Sequence, residues 1–277
     1  MKKDVGRSKP YVIFAIIVLI LLAIFFIFPL YWIITGSFKD AMTINAAVPQ
    51  WFPLNPTWDN YRRLFDEPAI KWLINTVIMA GGAMVLTCFT ASLAGYALAK
   101  KRFRGRAILF MLLVCAMALP KQVIVIPLLR EMSFLHIHDT LWAVILPTVG
   151  WPFGVFLMKQ FSETIPTEML EAARIDGAGE LTTFFQVVFP MIKPGVGALA
   201  IFTFVNSWND YFLQLIMLMD RKALTISLGI AKLQSEMSSD FGLIMAGAAL
   251  AAIPIVTVFL LFQKYFTQGI TMGAVKG

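Results

Sequence analysis

Six apolar runs set the terms on which this chain can fold: Tyr11 to Ile34, Trp72 to Ala99, Ala107 to Leu129, Thr140 to Met158, Val196 to Met219 and Gly242 to Phe262. A helix needs roughly 20 apolar residues to cross a hydrocarbon core about 30 Å thick, and each run is near that length. Without water, backbone groups must pair inside their own segment, so the runs are predicted to be helices; the alternation of barrel strands is absent. Residues are 59% hydrophobic and only 14% charged, too little charge for the surface of a soluble domain of this length. The expected fold class is an all-α membrane protein with six transmembrane helices, forming a single transmembrane domain over residues 1–277. The third run is interrupted by Pro120 and Lys121 and carries Pro127, which predicts a break near the outer face and a surface helix beyond it. Pro147 and Pro152 predict a kink in the fourth. The first run follows Lys2, Lys3, Arg7 and Lys9 as a secretory signal would, but its core is too long and lacks a small-residue cleavage site, so it is expected to stay as an anchor.

Orientation follows from basic residues in short loops. The segment Lys100-Lys101-Arg102-Phe103-Arg104-Gly105-Arg106 places the loop between runs two and three in the cytoplasm, and both termini with it. This leaves residues 35–71, 130–139 and 220–241 outside, and the basic excess on the inner side is modest. The formal charge of +7 therefore reads as membrane topology, and no nucleic-acid partner is implied. Cys88 and Cys115 lie in apolar runs as small core residues. His136 and His138 lack supporting cysteine or carboxylate ligands, so no metal site is expected and both should face solvent. Residues 51–65 mix prolines, aromatics and charges, which predicts a structured outer loop with a short helix starting near Thr57.

Between runs four and five lies a polar segment, residues 165–179. Pro166 suits a helix start, Glu168 and Glu171 favour its positive end, and Gly177 is a terminator, predicting two to three turns from Pro166 to Asp176. Met169, Leu170, Ala173 and Ile175 can share a face. Ala172 and Ala173 are small enough to let the helix settle into a partner's groove, with Glu171 and Arg174 at its rim. A second helix, Glu180 to Val188, is expected at an angle to the first and to end near Phe189-Pro190.

Glu171-Ala172-Ala173 alone would suit any cytoplasmic loop. With Gly177 at the seventh position and Pro190 at the twentieth, the segment resembles the EAA loop of ABC-importer permeases, although Val187 and Phe189 replace the usual Ile and Leu. The resemblance extends through Phe28-Pro29-Leu30-Tyr31-Trp32, Pro56-Thr57-Trp58-Asp59-Asn60-Tyr61, Gly95-Tyr96-Ala97-Leu98-Ala99-Lys100, Asn206-Ser207-Trp208-Asn209-Asp210-Tyr211-Phe212 and the ending from Gln263. Together these are similar to inner-membrane components of binding-protein-dependent importers, in the carbohydrate branch with the maltose-permease-G-like subunits. The resemblance implies a MetI-like permease fold in the cell membrane and a cytoplasmic coupling loop at about residues 160–194. It further implies a longer, non-identical second permease, two cytoplasmic ABC ATPase subunits, an extracytoplasmic solute-binding protein and a carbohydrate substrate. ATP and magnesium would be used by the ATPases, and the chain itself would bind no cofactor, catalyse no reaction and carry no ATPase domain, in keeping with the missing Walker A sequence. ATPase coupling would fall to Pro166, Met169, Leu170, Glu171, Ala172, Ala173, Arg174, Asp176, Gly177 and Pro190.

Asp210 is the one clear acidic residue within the six runs, on a polar stripe with Asn206, Ser207, Trp208, Asn209 and Gln214. Asn206, Trp208, Asn209, Asp210 and Tyr211 could line a sugar pathway, offering hydrogen bonds and an aromatic face. Equally, Asn206 and Asp210 could hold neighbouring helices together. Small residues in runs two and six suit close helix packing. In related importers the tail can approach the ATPase, which makes Gly273 and Lys276 minor candidates, although Thr271 to Gly277 reads as a frayed end. A noncarbohydrate solute such as glycerol phosphate is the nearest alternative substrate, and would want extra basic residues. A proton-driven secondary carrier would want buried ionisable groups and inverted repeats.

Overall fold

The computed structural model describes residues 9–236 and 240–274, with side chains for 10–236 and 240–263. In chain order the helices are α1 (Lys9–Ser37), α2 (Ala41–Ile44), α3 (Asp59–Asp66), α4 (Ala69–Lys100), α5 (Arg106–Met117), α6 (Lys121–Phe134), α7 (Trp142–Val149), α8 (Phe153–Glu163), α9 (Thr167–Ile175), α10 (Glu180–Thr183), α11 (Phe189–Asn209), α12 (Tyr211–Met217), α13 (Ile226–Glu236) and α14 (Phe241–Ala274). A π-turn, Phe184–Val188, joins α10 to α11. Five helical segments are long and apolar enough to span a membrane, and the bent pair of α5 and α6, at 107°, makes a sixth. The expected break in run three therefore stands at Pro120, and α7 and α8 part at Gly150-Trp151-Pro152.

Three expectations about where helices begin and end need correction. Run five does not cross as one helix from Val196 to Met219: the spanning segment is Glu180–Asn209, and the chain breaks at Asp210 before the short α12. Nor does a loop helix stop at Phe189-Pro190. Pro190 lacks an N–H and its ring would crowd the carbonyl four residues back, but the preceding π-turn, closed by the Phe189 N–H on the Phe184 carbonyl, gives it room. At the C-terminus, helix continues through Thr271 to Ala274 where a frayed end was expected.

The chain divides into two compact units. The first comprises Met1–Ala69 and Ile230–Ala251. Here Asn60, buried in α3, donates to the carbonyls of Ser37 (2.9 Å) and Lys39 (2.8 Å), and Arg63 pairs with Asp240. Lys39 donates to the Gln50 carbonyl and lies 4.2 Å from the Trp32 ring centroid; burial pushes its ammonium below the usual lysine range. The small residues of α14 are used inside this unit, Gly242 against Asn60 and Gly247 against Ile230.

The second unit comprises Ile70–Gly229 and Ala252–Gly277. At one end of α4, Trp72 Nε1 donates to the Arg221 carbonyl (2.7 Å), Asn75 to those of Lys222 and Leu224 (2.9 Å each), and Thr76 Oγ1 accepts from the Ile226 N–H (2.8 Å). These polar groups near the start of run two thus tie down the backbone of residues 221–226. Further along, α4 crosses α8 so closely that a Cβ on Gly95 would sit 2.6 Å from both Met158 C and Lys159 N. His136 is exposed, but His138 is half-buried with its Nε2 enclosed, contrary to the solvent-facing pair expected. Lys159 and Glu163, which lie beyond the expected end of run four, belong to α8 and pair at 2.6 Å.

The Gly95 contact predicts a specific loss. Gly95→Val must force two backbones apart, at about 1–3 kcal/mol, and lower the melting temperature of the detergent-solubilised protein. Gly81→Ala, with nothing within 4 Å of the added carbon, should hold or raise it. Circular dichroism melts of the two variants check both.

Candidate functional site: a surface helix and a cavity

The polar segment forms α9, flanked by Pro166 at its N-cap and Asp176 at its C-cap. Its end is a Schellman closure: the Gly177 N–H donates to the Arg174 carbonyl (3.0 Å) and the Ala178 N–H to that of Ala173 (2.9 Å). Gly177 sits at φ 78°, where a side chain would strain the backbone. Two anchors hold the helix. Leu170, 7% exposed, enters a core cluster with Tyr96, Met158, Ile165, Phe184 and Val188. Lys100, the last residue of α4, donates to the Ile165 carbonyl at 2.6 Å and that of Glu163 at 3.2 Å, gripping the chain where α8 ends and α9 begins.

Leu170 therefore points into its own unit, while Met169 and Ile175 are exposed, Ile175 at 86%. Ala173 is half-buried, and Glu171, Ala172, Arg174 and Asp176 are exposed. Arg174 has a partner already, Glu180 at 3.5 Å, and Glu180 also pairs with Lys101. With both side chains of the Arg174–Glu180 pair well exposed, it contributes little to stability. These contacts put the basic loop and α9 at one end of the unit. Pro190, near the start of α11, is exposed but does not belong to α9.

A cavity of about 590 Å³ opens between the broken helices, lined by Lys121, Glu131, Trp151, Asn206, Asp210 and Phe212 among mainly apolar side chains. Three of its lining residues stand at helix breaks: Lys121 opens α6, Trp151 separates α7 from α8, and Asp210 separates α11 from α12. Lys121 Nζ lies 2.8 Å from Asp210 Oδ2 and 5.3 Å from the Trp151 ring centroid. Asp210 also caps α12, accepting from the Leu213 N–H at 3.3 Å. Carbonyls freed at this break are taken by Gln214, which donates to Ser207 at 2.9 Å and accepts from Thr225 Oγ1 at 2.5 Å.

Of the residues considered for a pathway, Asn206 and Asp210 line the cavity. Trp208 does not: it is buried against Phe204, with ring centroids 5.5 Å apart. Asn209 donates to the Val205 carbonyl and Tyr211 is exposed, neither on the cavity wall. Asn206 donates within its own helix, to the Phe202 carbonyl, so of the suggested packing pair only Asp210 bonds to a neighbouring helix. Lys121 and Trp151 were missed as wall residues; the prolines beside both were the available signal, since a break in a span turns polar side chains inward. Gly273 falls in α14, and Lys276 lies outside the described residues.

Membrane-length helices, several of them broken around a cavity, and an anchored surface helix at one end of the second unit suit a membrane transport component. The chain belongs to the family described as binding-protein-dependent transport system inner membrane component, whose model matches residues 66–272. It is accordingly a multi-pass inner-membrane protein and a transport subunit, not an enzyme. It is similar to the arabinooligosaccharides transport system permease protein AraQ of Bacillus subtilis strain 168, 34% identical over 93% of each chain. The melibiose/raffinose/stachyose import permease protein MelC of the same organism is 34% identical, over 98% of this chain and 99% of that one. The fold matches a chain in the crystal structure of a bacterial ABC transporter involved in the import of the acidic polysaccharide alginate, with TM-score 0.80 and 22% identity, over 94% of this chain and 99% of that one.

Lys121→Met should strand the Asp210 carboxylate, whose side chain is only 14% exposed, and lower stability by about 1–2 kcal/mol, since Lys121 itself is half in solvent. A double-mutant cycle with Asp210→Asn, read by thermal melts, should return a coupling energy of the same order.

Proposed function

We propose that this chain is a permease subunit of an ATP-driven importer for a sugar or oligosaccharide, forming half of the translocation pathway. In this reading a second, longer permease supplies the other half, two cytoplasmic ABC ATPases bind ATP and magnesium, and an external solute-binding protein delivers the substrate. The names of the two similar permeases, one for arabinooligosaccharides and one for melibiose, raffinose and stachyose, support the substrate class. One observation carries the coupling role: α9 exposes apolar Met169 and Ile175 at the end of the unit that also holds the basic loop, while Leu170 ties it to the spans. ATPase closure would displace α9, and the packed cluster around Leu170 would pass that displacement to α4, α8 and α11, where it can change access to the cavity.

The alternative solute, glycerol phosphate, would call for a cationic pocket, whereas the wall of this cavity carries a single lysine and that lysine is paired.

Two mutations separate holding from docking. Leu170→Ala should cost about 2–4 kcal/mol of stability, because it empties a buried site. Ile175→Glu should leave stability within about 0.5 kcal/mol yet abolish co-purification with the ATPase. Normal ATPase recovery with Ile175→Glu would remove α9 from the coupling role. For the substrate, proteoliposomes holding the complete importer should accumulate uncharged oligosaccharides such as raffinose only with ATP and binding protein; accumulation of glycerol phosphate instead would select the alternative.

A further inference from the structure

We infer that the Lys121–Asp210 pair beside Trp151 is a charge filter, with Asp210 the residue that fits this wall of the cavity to uncharged glycosides and turns away anionic sugars and phosphates. The inference rests on the saccharide reading above and deepens it.

An anionic ligand entering the cavity is held most strongly where a cation is free to pair with it. Lys121 is the sole Lys or Arg on the lining, and Asp210 occupies it at 2.8 Å. Asp210 is itself fixed, since it stands at the break between α11 and α12 and accepts from the Leu213 N–H. That hydrogen bond also sets a carboxylate at the positive end of α12, which disfavours a second anion there. Glu131 adds a second carboxylate to the lining, with no cation paired to it among the described residues. The charged groups of the wall thus sum to a net negative field. Trp151 gives what an uncharged ring would use, an aromatic face held near the pair by its cation–π contact with Lys121. Polar groups at the helix breaks, set in otherwise apolar walls, suit the hydroxyl edge and C–H face of a sugar.

The test uses the full chain purified in detergent and the fluorescence of Trp151, obtained as the difference from a Trp151→Phe partner in each background. Neutral acrylamide and anionic iodide serve as quenchers at constant ionic strength. Acrylamide should quench wild-type Trp151 and iodide should hardly do so. Asp210→Asn unpairs Lys121, and removing one unit charge within about 6–8 Å should raise the iodide quenching constant about threefold, with acrylamide unchanged. Lys121→Gln/Asp210→Asn should return the iodide constant to near the wild-type value, and equal acrylamide constants across the set show that each variant keeps its fold. An iodide constant that does not respond to Asp210→Asn overturns the filter, as does a Trp151 shielded from both quenchers. In proteoliposomes the same substitution should raise uptake of trigalacturonate relative to raffinose; an unchanged ratio overturns it too. Failure of the saccharide reading would be seen separately, as wild-type importer accumulating no uncharged oligosaccharide while the quenching pattern holds.

Discussion

The burial of one leucine holds the surface helix α9 to the membrane segments. A helix of nine residues such as α9 is too short to persist alone in water, where nucleation costs more than a few turns return. Leu170 supplies the missing stabilisation by entering the cluster of Tyr96, Met158, Phe184 and Val188, which draws on α4, α8 and the π-turn before α11. Tyr96 and Phe184 lie 5.7 Å apart between ring centroids, and Lys100 fastens the neighbouring carbonyls. Close-packed interiors transmit strain instead of absorbing it. A push on the exposed face of α9 would therefore be felt at three membrane segments together, passing through Leu170 and the Lys100 contacts.

The second constraint is the absence of water around the spans. Non-helical backbone at membrane depth survives only where protein or a wet cavity satisfies it. The breaks at Pro120, Gly150-Trp151-Pro152 and Asp210 all border the same cavity, and at the last of them local side chains attend to the freed groups. Asp210 caps α12, and Gln214 takes the Ser207 carbonyl. Breaking the helices opens the cavity and brings Lys121, Trp151 and Asp210 to its wall. Asp210, which caps α12, thereby also stands on the cavity wall.

Much of the architecture was legible in advance. The apolar runs located the spans, Pro120 and Pro152 marked two breaks, and Pro166 and Gly177 bounded α9 to within a residue, because proline and glycine act through local backbone geometry. The break at Asp210 was not legible: an unbroken hydropathy profile does not distinguish an aspartate inside a helix from one that caps the next. The continuous helix through Phe189-Pro190 was hidden for a related reason, since proline ordinarily stops a helix and the π-turn that tolerates it leaves no mark in the sequence. Trp208 belonged by spacing to the polar stripe, yet packing against Phe204 turned it from the cavity.

What the sequence by itself determined is everything a bilayer and a local backbone rule can dictate: membrane spans, the interruptions that proline marks, the basic loop, and a short polar helix ended by a glycine. Tertiary structure alone decided which side chains meet. Lys121 and Asp210 are separated by 89 positions, and Leu170 shares its cluster with residues from several helices. No periodicity encodes such encounters, because they depend on where breaks of the chain fall in space once the helices have packed.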